Sequence, residues 1–174
     1  MNSRTQVITI PGPVGLIQLS IDLPDELKQN PNFELRGLAL IAHPHPLLGG
    51  TMDNKVVQTL ARTFNQLGYL SVRPNFRGVG LSEGSHDEGR GELEDLVYLS
   101  DWMRTPQSWI EYLSNSSEQT WITKTNQLPL ALAGFSFGSY VGTHLTHQLA
   151  ELGRPIERFV MFRSEEHTSE LQSR

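Results

Sequence analysis

A glycine-flanked turn lies between a strand pattern and a helix pattern in the C-terminal third of the chain. The strand pattern is the short apolar run Leu128–Ala133, and the next five residues, 134–138, read GFSFG. The helix pattern is a set of apolar residues at helical spacing, namely Val141, Leu145, Leu149 and Leu152. Small residues at such a turn let the strand and helix backbones approach closely. The segment therefore predicts a strand that turns sharply into a helix, which limits the chain to folds that mix both elements.

Strand and helix patterns also alternate along the rest of the chain. Strands are predicted over residues 7–10, 16–23, 35–41, 69–73 and 159–162, and helices over residues 53–67 and 92–103. Asp53 is interpreted as the residue that caps the first of these helices. The alternation predicts an α/β fold, in which a mostly parallel sheet is covered by helices on both faces.

Ser136, at the centre of the glycine-flanked turn, is a candidate nucleophile. The pattern G-x-S-x-G also occurs in plain glycine-rich turns, so the letters alone are weak evidence. Its position between a strand and a helix favours the catalytic interpretation, because that context exposes the hydroxyl on a strained turn. A serine hydroxyl is a weak nucleophile and needs such exposure together with a nearby base.

A second loop follows the buried-strand pattern of residues 35–41 and contains two histidines, His43 and His45, separated by proline. Histidine is a common metal ligand, but no Asp, Glu or Cys lies at a matching local spacing, so no metal site is predicted. Proline has no backbone N–H, so the donors available in this loop are the amides of His45, Leu47 and Leu48.

Three sequence blocks carry a resemblance to a known family. They are HPHPLLGGTMDNK at residues 43–55, NFRGVGLSEG at residues 75–84 and GFSFG at residues 134–138. In this order they resemble the small α/β-hydrolases of bacteria, and the resemblance covers roughly residues 5–162. It implies the α/β-hydrolase fold and a serine hydrolase, for which no cofactor is expected.

The resemblance also implies roles for particular residues. Ser136 would form an acyl-enzyme with a small ester, thioester or amide, and Gly134 and Gly138 would be the glycines of the nucleophile elbow. By similarity to the His-Gly-x loops of the superfamily, the backbone N–H groups of His45 and Phe137 would form the oxyanion hole. An alternative is a non-catalytic protein of the same fold that uses the pocket for binding.

The remaining members of the catalytic triad are not evident in the chain. In this fold an Asp or Glu and then a His follow the nucleophile, but no aspartate follows Ser136. His144 lies roughly 12 Å along the helix that follows Ser136, and His147 lies farther, so both are interpreted as surface residues. We therefore expect neither triad acid nor triad base in this chain, and we expect this fragment to be inactive.

Residues 163–173 read RSEEHTSELQS and lack the apolar periodicity of a helix or a strand. They match one reading frame of a widely used short-read sequencing adapter. We therefore interpret residues 1–162 as a partial α/β-hydrolase domain, incomplete at its C-terminus, and residues 163–174 as a non-native tail. The alternative is a genuine polar tail.

Composition and charge limit the kinds of protein that this chain could be. The chain has 174 residues, a formal net charge of −5 and no cysteine, which suits one domain without disulfides. Nucleic-acid binding is not expected because it needs clustered Lys and Arg. No apolar run approaches the ~20 residues of a membrane span, and no signal sequence is evident at the N-terminus, so a cytoplasmic protein is expected. The family resemblance implies a small-molecule acyl substrate.

The glycines of the 75–84 block could suggest a nucleotide-binding loop. Gly78, Gly80 and Gly84 depart from G-x-G-x-x-G, because the third glycine comes one residue late. We interpret the block as a tight loop under the elbow, in which Arg77 binds loop carbonyls or an acidic side chain. Residues 107–127, which contain Trp109 and Trp121, are interpreted as a loop or a substrate-covering segment.

Overall fold

A computed structural model describes residues 5–26, 30, 33–109, 112 and 128–163, and contains a six-stranded sheet with strand order β1-β2-β4-β3-β5-β6. The strands are β1 (Thr5–Gly12), β2 (Gly15–Asp22), β3 (Gly37–Ala42), β4 (Tyr69–Pro74), β5 (Leu130–Phe135) and β6 (Arg158–Phe162). The helices are α1 (Lys55–Gln66), α2 (Arg90–Arg104) and α3 (Phe137–Glu151), with short 3-10 turns at Pro46–Leu48 and Pro106–Ser108. Each element predicted from the sequence and covered by the description is present.

The sheet is parallel where strands and helices alternate. β3 pairs in parallel with β4 and with β5, and β5 pairs in parallel with β6. The N-terminal hairpin of β1 and β2 joins this part through an antiparallel pairing of β2 with β4. The prediction of a mostly parallel α/β sheet is therefore confirmed.

Helices cover both faces of the sheet, and alternate residues of β3 point to the two layers. Leu38 and Leu40 belong to the larger core, which contains side chains of α2 and α3. Ala39 and Ile41 belong to the smaller core on the other face, which α1 covers. Because both faces are buried, the central strands read as continuous apolar runs, which is why their positions could be predicted.

The interpretation of Asp53 as the cap of α1 is wrong. The helix begins at Lys55, and its N-terminal cap is Asn54, whose Oδ1 accepts a hydrogen bond from the Val56 amide at 2.9 Å. The side chain of Asp53 instead lies 3.7 Å from the guanidinium of Arg73. Asp and Asn are almost equally good capping residues, so a shift of one residue could not be detected from the sequence.

The 75–84 block forms a tight loop that a buried ion pair fixes to α2. The guanidinium of Arg77 donates from Nε and Nη2 to the carboxylate of Asp95, both at 2.9 Å. Burial raises the pKa of Asp95, and the bonds from Arg77 oppose that rise. The prediction that Arg77 binds an acidic side chain is confirmed.

The 107–127 and 163–174 segments lie mostly outside the described residues. In the first, Trp109 is buried and its indole N–H donates to the carbonyl of Met103, whereas residues 113–127, including Trp121, are not described. Of the second only Arg163 is described, so the structure does not test the interpretation of that tail. Within the described residues, every helix is too short or too polar to cross a lipid bilayer.

Candidate functional site

Ser136 occupies a strained turn between β5 and α3. Its backbone has φ 54° and ψ −114°, a conformation that L-residues other than glycine rarely adopt. Strain of this kind costs on the order of 1–3 kcal/mol and persists only where the surrounding structure enforces it. One enforcing contact is the Ser136 amide, which donates to the carbonyl of Phe162 in β6 at 2.8 Å. The prediction of a serine at the tip of a strand-to-helix turn is confirmed.

The flanking glycines are required because backbones meet there. A Cβ at Gly134 would lie 2.5 Å from backbone atoms of Gly138 and of Ser139. A Cβ at Gly138 would lie 2.3 Å from the carbonyl oxygen of Ala42. The second contact places the first turn of α3 against the end of β3, where the 43–50 loop begins.

His43 fixes the start of that loop. Its side chain is fully buried, its Nδ1 lies 2.6 Å from the carbonyl oxygen of Pro44, and its Nε2 accepts a hydrogen bond from the Phe76 amide at 2.9 Å. Desolvation by burial lowers the pKa of His43 to about 4, although the bond to Pro44 opposes this. His43 is therefore neutral near pH 7, with the proton on Nδ1, and links the loop to the end of β4.

In the 43–50 loop the amide of His45 differs from those of residues 47–50, which all donate within the loop. The carbonyl of His45 accepts bonds from the amides of Leu48 and Gly50, at 3.1 and 3.0 Å. The Leu47 amide donates to Nδ1 of the His45 ring at 3.2 Å. Among the described residues, the His45 amide donates to no protein group, and neither does the amide of Phe137 at the start of α3.

The two residues that carry these amides are in contact. The ring centroids of His45 and Phe137 lie 4.8 Å apart. The structure therefore brings together all five residues predicted for the site. Gly134 and Gly138 flank Ser136 and approach each other closely, and His45 packs against Phe137.

The structure adds a residue to this site that the sequence did not indicate. The ring of His86 lies 4.9 Å from that of His45 and 5.4 Å from that of Phe137, measured between centroids. Nδ1 of His86 lies 2.8 Å from Oε1 of Glu92, whose side chain is fully buried. No local sequence pattern predicts this placement, because His86 lies in the loop before α2 and meets His45 and Phe137 only through tertiary packing.

The described residues provide no imidazole bonded to the Ser136 hydroxyl. His144 and His147 are exposed on α3, as predicted, and His147 is paired with Glu151 at 3.2 Å. Among all the residues that the structure describes, no cluster of three or more His, Cys, Asp and Glu side chains could hold a metal ion.

An apolar groove of about 500 Å³ lies between α1 and β6, and Ser136, His45 and Phe137 do not line it. Its walls are mainly apolar and include Leu60, Phe64, Val160 and Phe162. We therefore place the candidate site at the elbow, where strain and uncommitted amides coincide, and not in this groove.

Two solved structures closely resemble this chain. The chain is 30% identical to XC6422 of Xanthomonas campestris, a member of the α/β serine hydrolases without a lid, with a TM-score of 0.67 over 94% of this chain and 72% of that one. It is 29% identical to an α/β serine hydrolase homologue from Coxiella burnetii, with a TM-score of 0.61 over 94% of this chain and 89% of that one.

A curated relative extends well beyond the matched region. The uncharacterized protein RP471 of Rickettsia prowazekii is 35% identical over 115 residues, which make up 66% of this chain and 41% of the relative. The match thus spans less than half of that protein's length. No protein-family model matches the chain.

Proposed function

Because this chain belongs to the α/β serine hydrolases, we propose that it is an acyl hydrolase whose nucleophile is Ser136. In this proposal the Ser136 oxygen attacks the carbonyl carbon of a small ester, thioester or amide and forms an acyl-enzyme. The leaving group departs with a proton, and a water molecule then hydrolyses the acyl-enzyme and releases the acid. The observation that carries the proposal is a strained, half-buried serine followed by Phe137, whose amide is uncommitted and whose ring contacts His45.

The amides of His45 and Phe137 are the proposed oxyanion hole. Backbone N–H groups aimed at the developing negative charge of a tetrahedral intermediate stabilise it, and removal of one such donor typically costs ~3 kcal/mol. Two features support these particular donors. Leu47 and Leu48 already donate within the loop, and the rings of His45 and Phe137 are in contact.

We propose that the acid and base of the triad come from a longer form of the protein. Two observations support this: the relatives extend beyond the matched region, and no described imidazole is bonded to Ser136. Serine proteases that lack triad members keep only ~10³–10⁴-fold of rate acceleration over water. We therefore expect the 174-residue chain alone to turn over esters extremely slowly.

Covalent labelling tests the nucleophile. A fluorophosphonate probe, followed by peptide mass spectrometry, is expected to modify Ser136 slowly in this chain and rapidly in a form extended with its natural sequence. Ser136→Ala is expected to abolish labelling, while the exposed serine variant Ser85→Ala is expected to leave it unchanged. Labelling of another residue, or equal labelling of Ser136→Ala, would contradict the assignment.

A second candidate is a non-catalytic binding protein that uses the same site. The lack of a described imidazole bonded to Ser136 favours it. The extended form distinguishes the two functions, because a binding protein would retain ligand affinity without Ser136-dependent labelling or turnover.

A further inference from the structure

The rings of His45 and His86 present complementary hydrogen-bonding groups next to the proposed oxyanion hole. For His86 the evidence is its bond to Glu92. The two oxygens of this buried carboxylate face N–H donors, namely the amide of Asp87 at 3.0 Å and the amide of Gly89 at 2.8 Å. Oε1 of Glu92 already accepts from the Asp87 amide, and we infer that it also accepts from His86, so that Nδ1 of His86 carries the hydrogen of the 2.8 Å bond. Neutral His86 consequently has a lone pair on Nε2.

The opposite tautomer is fixed at His45. The backbone N–H of Leu47 can only donate, so Nδ1 of His45 must be the acceptor of that 3.2 Å bond. Neutral His45 consequently carries its hydrogen on Nε2. One ring thus offers an acceptor and the other a donor.

The two rings do not satisfy each other. Their centroids are 4.9 Å apart, and no hydrogen bond joins them. Both side chains are partly exposed, His86 with a side-chain exposure of 14%. A small group that both donates and accepts a hydrogen bond is the natural partner for such a pair, and a hydroxyl is the smallest one. An anion fits less well, because it can only accept hydrogen bonds, whereas Nε2 of neutral His86 needs a donor.

We propose, on the basis of the hydrolase function above, that the substrate carries a hydroxyl group close to its reacting carbonyl, and that His86 and His45 bind this hydroxyl. The hydroxyl donates to Nε2 of His86 and accepts from Nε2–H of His45. Phe137 contacts both rings, so the hydroxyl lies beside the carbonyl oxygen that the His45 and Phe137 amides receive. Glu92 is a positioning residue, because it sets the tautomer of His86 without touching the substrate.

The tautomers can be measured on the unmodified chain. Long-range ¹H–¹⁵N correlation of the imidazole nitrogens near pH 7.5 is expected to show Nε2 unprotonated in His86 and protonated in His45. The reverse pattern at either ring would overturn the proposal. This measurement needs neither catalysis nor a variant that folds.

Binding is tested separately from hydrolysis in the Ser136→Ala chain. Two pairs of esters place the hydroxyl on either side of the reacting carbonyl: methyl 3-hydroxybutanoate against methyl butanoate, and 2-hydroxyethyl butanoate against propyl butanoate. One hydroxylated ester is expected to bind about tenfold more tightly than its partner, as an unmade buried hydrogen bond costs roughly that factor. Equal affinity within both pairs, or no detectable binding of either hydroxylated ester, would overturn the proposal.

Variants assign the preference to His86. In the Ser136→Ala background, His86→Phe keeps a ring in place but removes the acceptor, and is expected to remove the tenfold preference while leaving the affinity for the plain ester within twofold. His147→Phe, at an exposed histidine of α3, is the matched control and is expected to keep the preference. A preference that survives His86→Phe would overturn the proposal. Failure of labelling at Ser136, by contrast, would overturn the hydrolase function alone.

Discussion

Gly138 shows how a single missing side chain assembles the site. A Cβ at this position would overlap the carbonyl oxygen of Ala42 at 2.3 Å. We expect Gly138→Ala to lower the free energy of unfolding by about 1–3 kcal/mol, as overpacking does, and to slow the labelling of Ser136 because the 43–50 loop moves away from the elbow. Chemical denaturation and fluorophosphonate labelling measure the two effects.

The control for this variant is Gly153→Ala, which adds the same methyl group in open space. Gly153 has φ +71°, and no heavy atom lies within 4 Å of the place that a Cβ would occupy, so the expected cost there is only the ~1 kcal/mol of left-handed backbone. Labelling of Ser136 should be unaffected by it. Equal effects of the two variants on labelling would contradict a steric role for Gly138.

The lowered pKa of His43 predicts that the stability of the protein depends on pH. Its pKa is about 4 in the folded protein and about 6.5 when unfolded, so between these values the unfolded chain binds a proton that the folded chain does not. The free energy of unfolding should therefore fall as the pH falls from 6.5 to 4, by about 3 kcal/mol in total.

Urea unfolding at a series of pH values measures this contribution. The part of the slope that belongs to His43 should be absent in His43→Asn and retained in the exposed-site control His147→Asn. An unchanged slope in His43→Asn would show that other groups cause the pH dependence.

Arg77 in the loop of residues 75–84 forms ion pairs with Asp95 and Glu94 of α2, at 2.9 and 3.6 Å, and the pair with Asp95 is the buried one. Asp95 and Arg77 are both buried, and each loses its main partner when the other is removed. We expect Asp95→Asn to lower the free energy of unfolding by roughly 3 kcal/mol, because it leaves a buried guanidinium without its full counter-charge. The exposed pair of His147 and Glu151 provides the control, since Glu151→Gln should cost less than about 1 kcal/mol. Equal losses in the two variants would contradict this account.

What the sequence could predict depends on how local each element is. The elbow was predictable because strand, Ser136, its glycines and helix are contiguous, and the central strands were predictable because both their faces are buried. His86 was not predictable because its position beside His45 and Phe137 arises only when the loop before α2 packs on α3. The flanking prolines left the amides of His45, Leu47 and Leu48 as candidate donors, and the family resemblance favoured His45. The tautomer of the His45 ring, in contrast, required the bond to Leu47.

At the scale of the whole molecule, the described residues leave an apolar edge of the sheet at β6. Met161 and Phe162 are 63% and 46% exposed, and β6 is the last strand of the described sheet. An exposed edge strand is a template for pairing with another chain, so we expect the 174-residue chain to associate as its concentration rises.

Light scattering after size-exclusion chromatography measures this association. Met161→Lys should reduce it, because charge on an edge strand opposes pairing. Leu81→Lys, at a side chain that is 65% exposed in a loop, should not. A monodisperse monomer at all concentrations would contradict the expectation.

The hydrogen bond from the Ser136 amide to the carbonyl of Phe162 connects the edge strand β6 to the proposed nucleophile. Anything that loosens β6 releases the hydrogen of this amide to solvent, and anything that secures β6 protects it. Deuterium exchange at this one backbone position should therefore track the attachment of the last strand. The exchange rate of the Ser136 amide hydrogen thus reports both the position of the nucleophile and the attachment of β6 to the sheet.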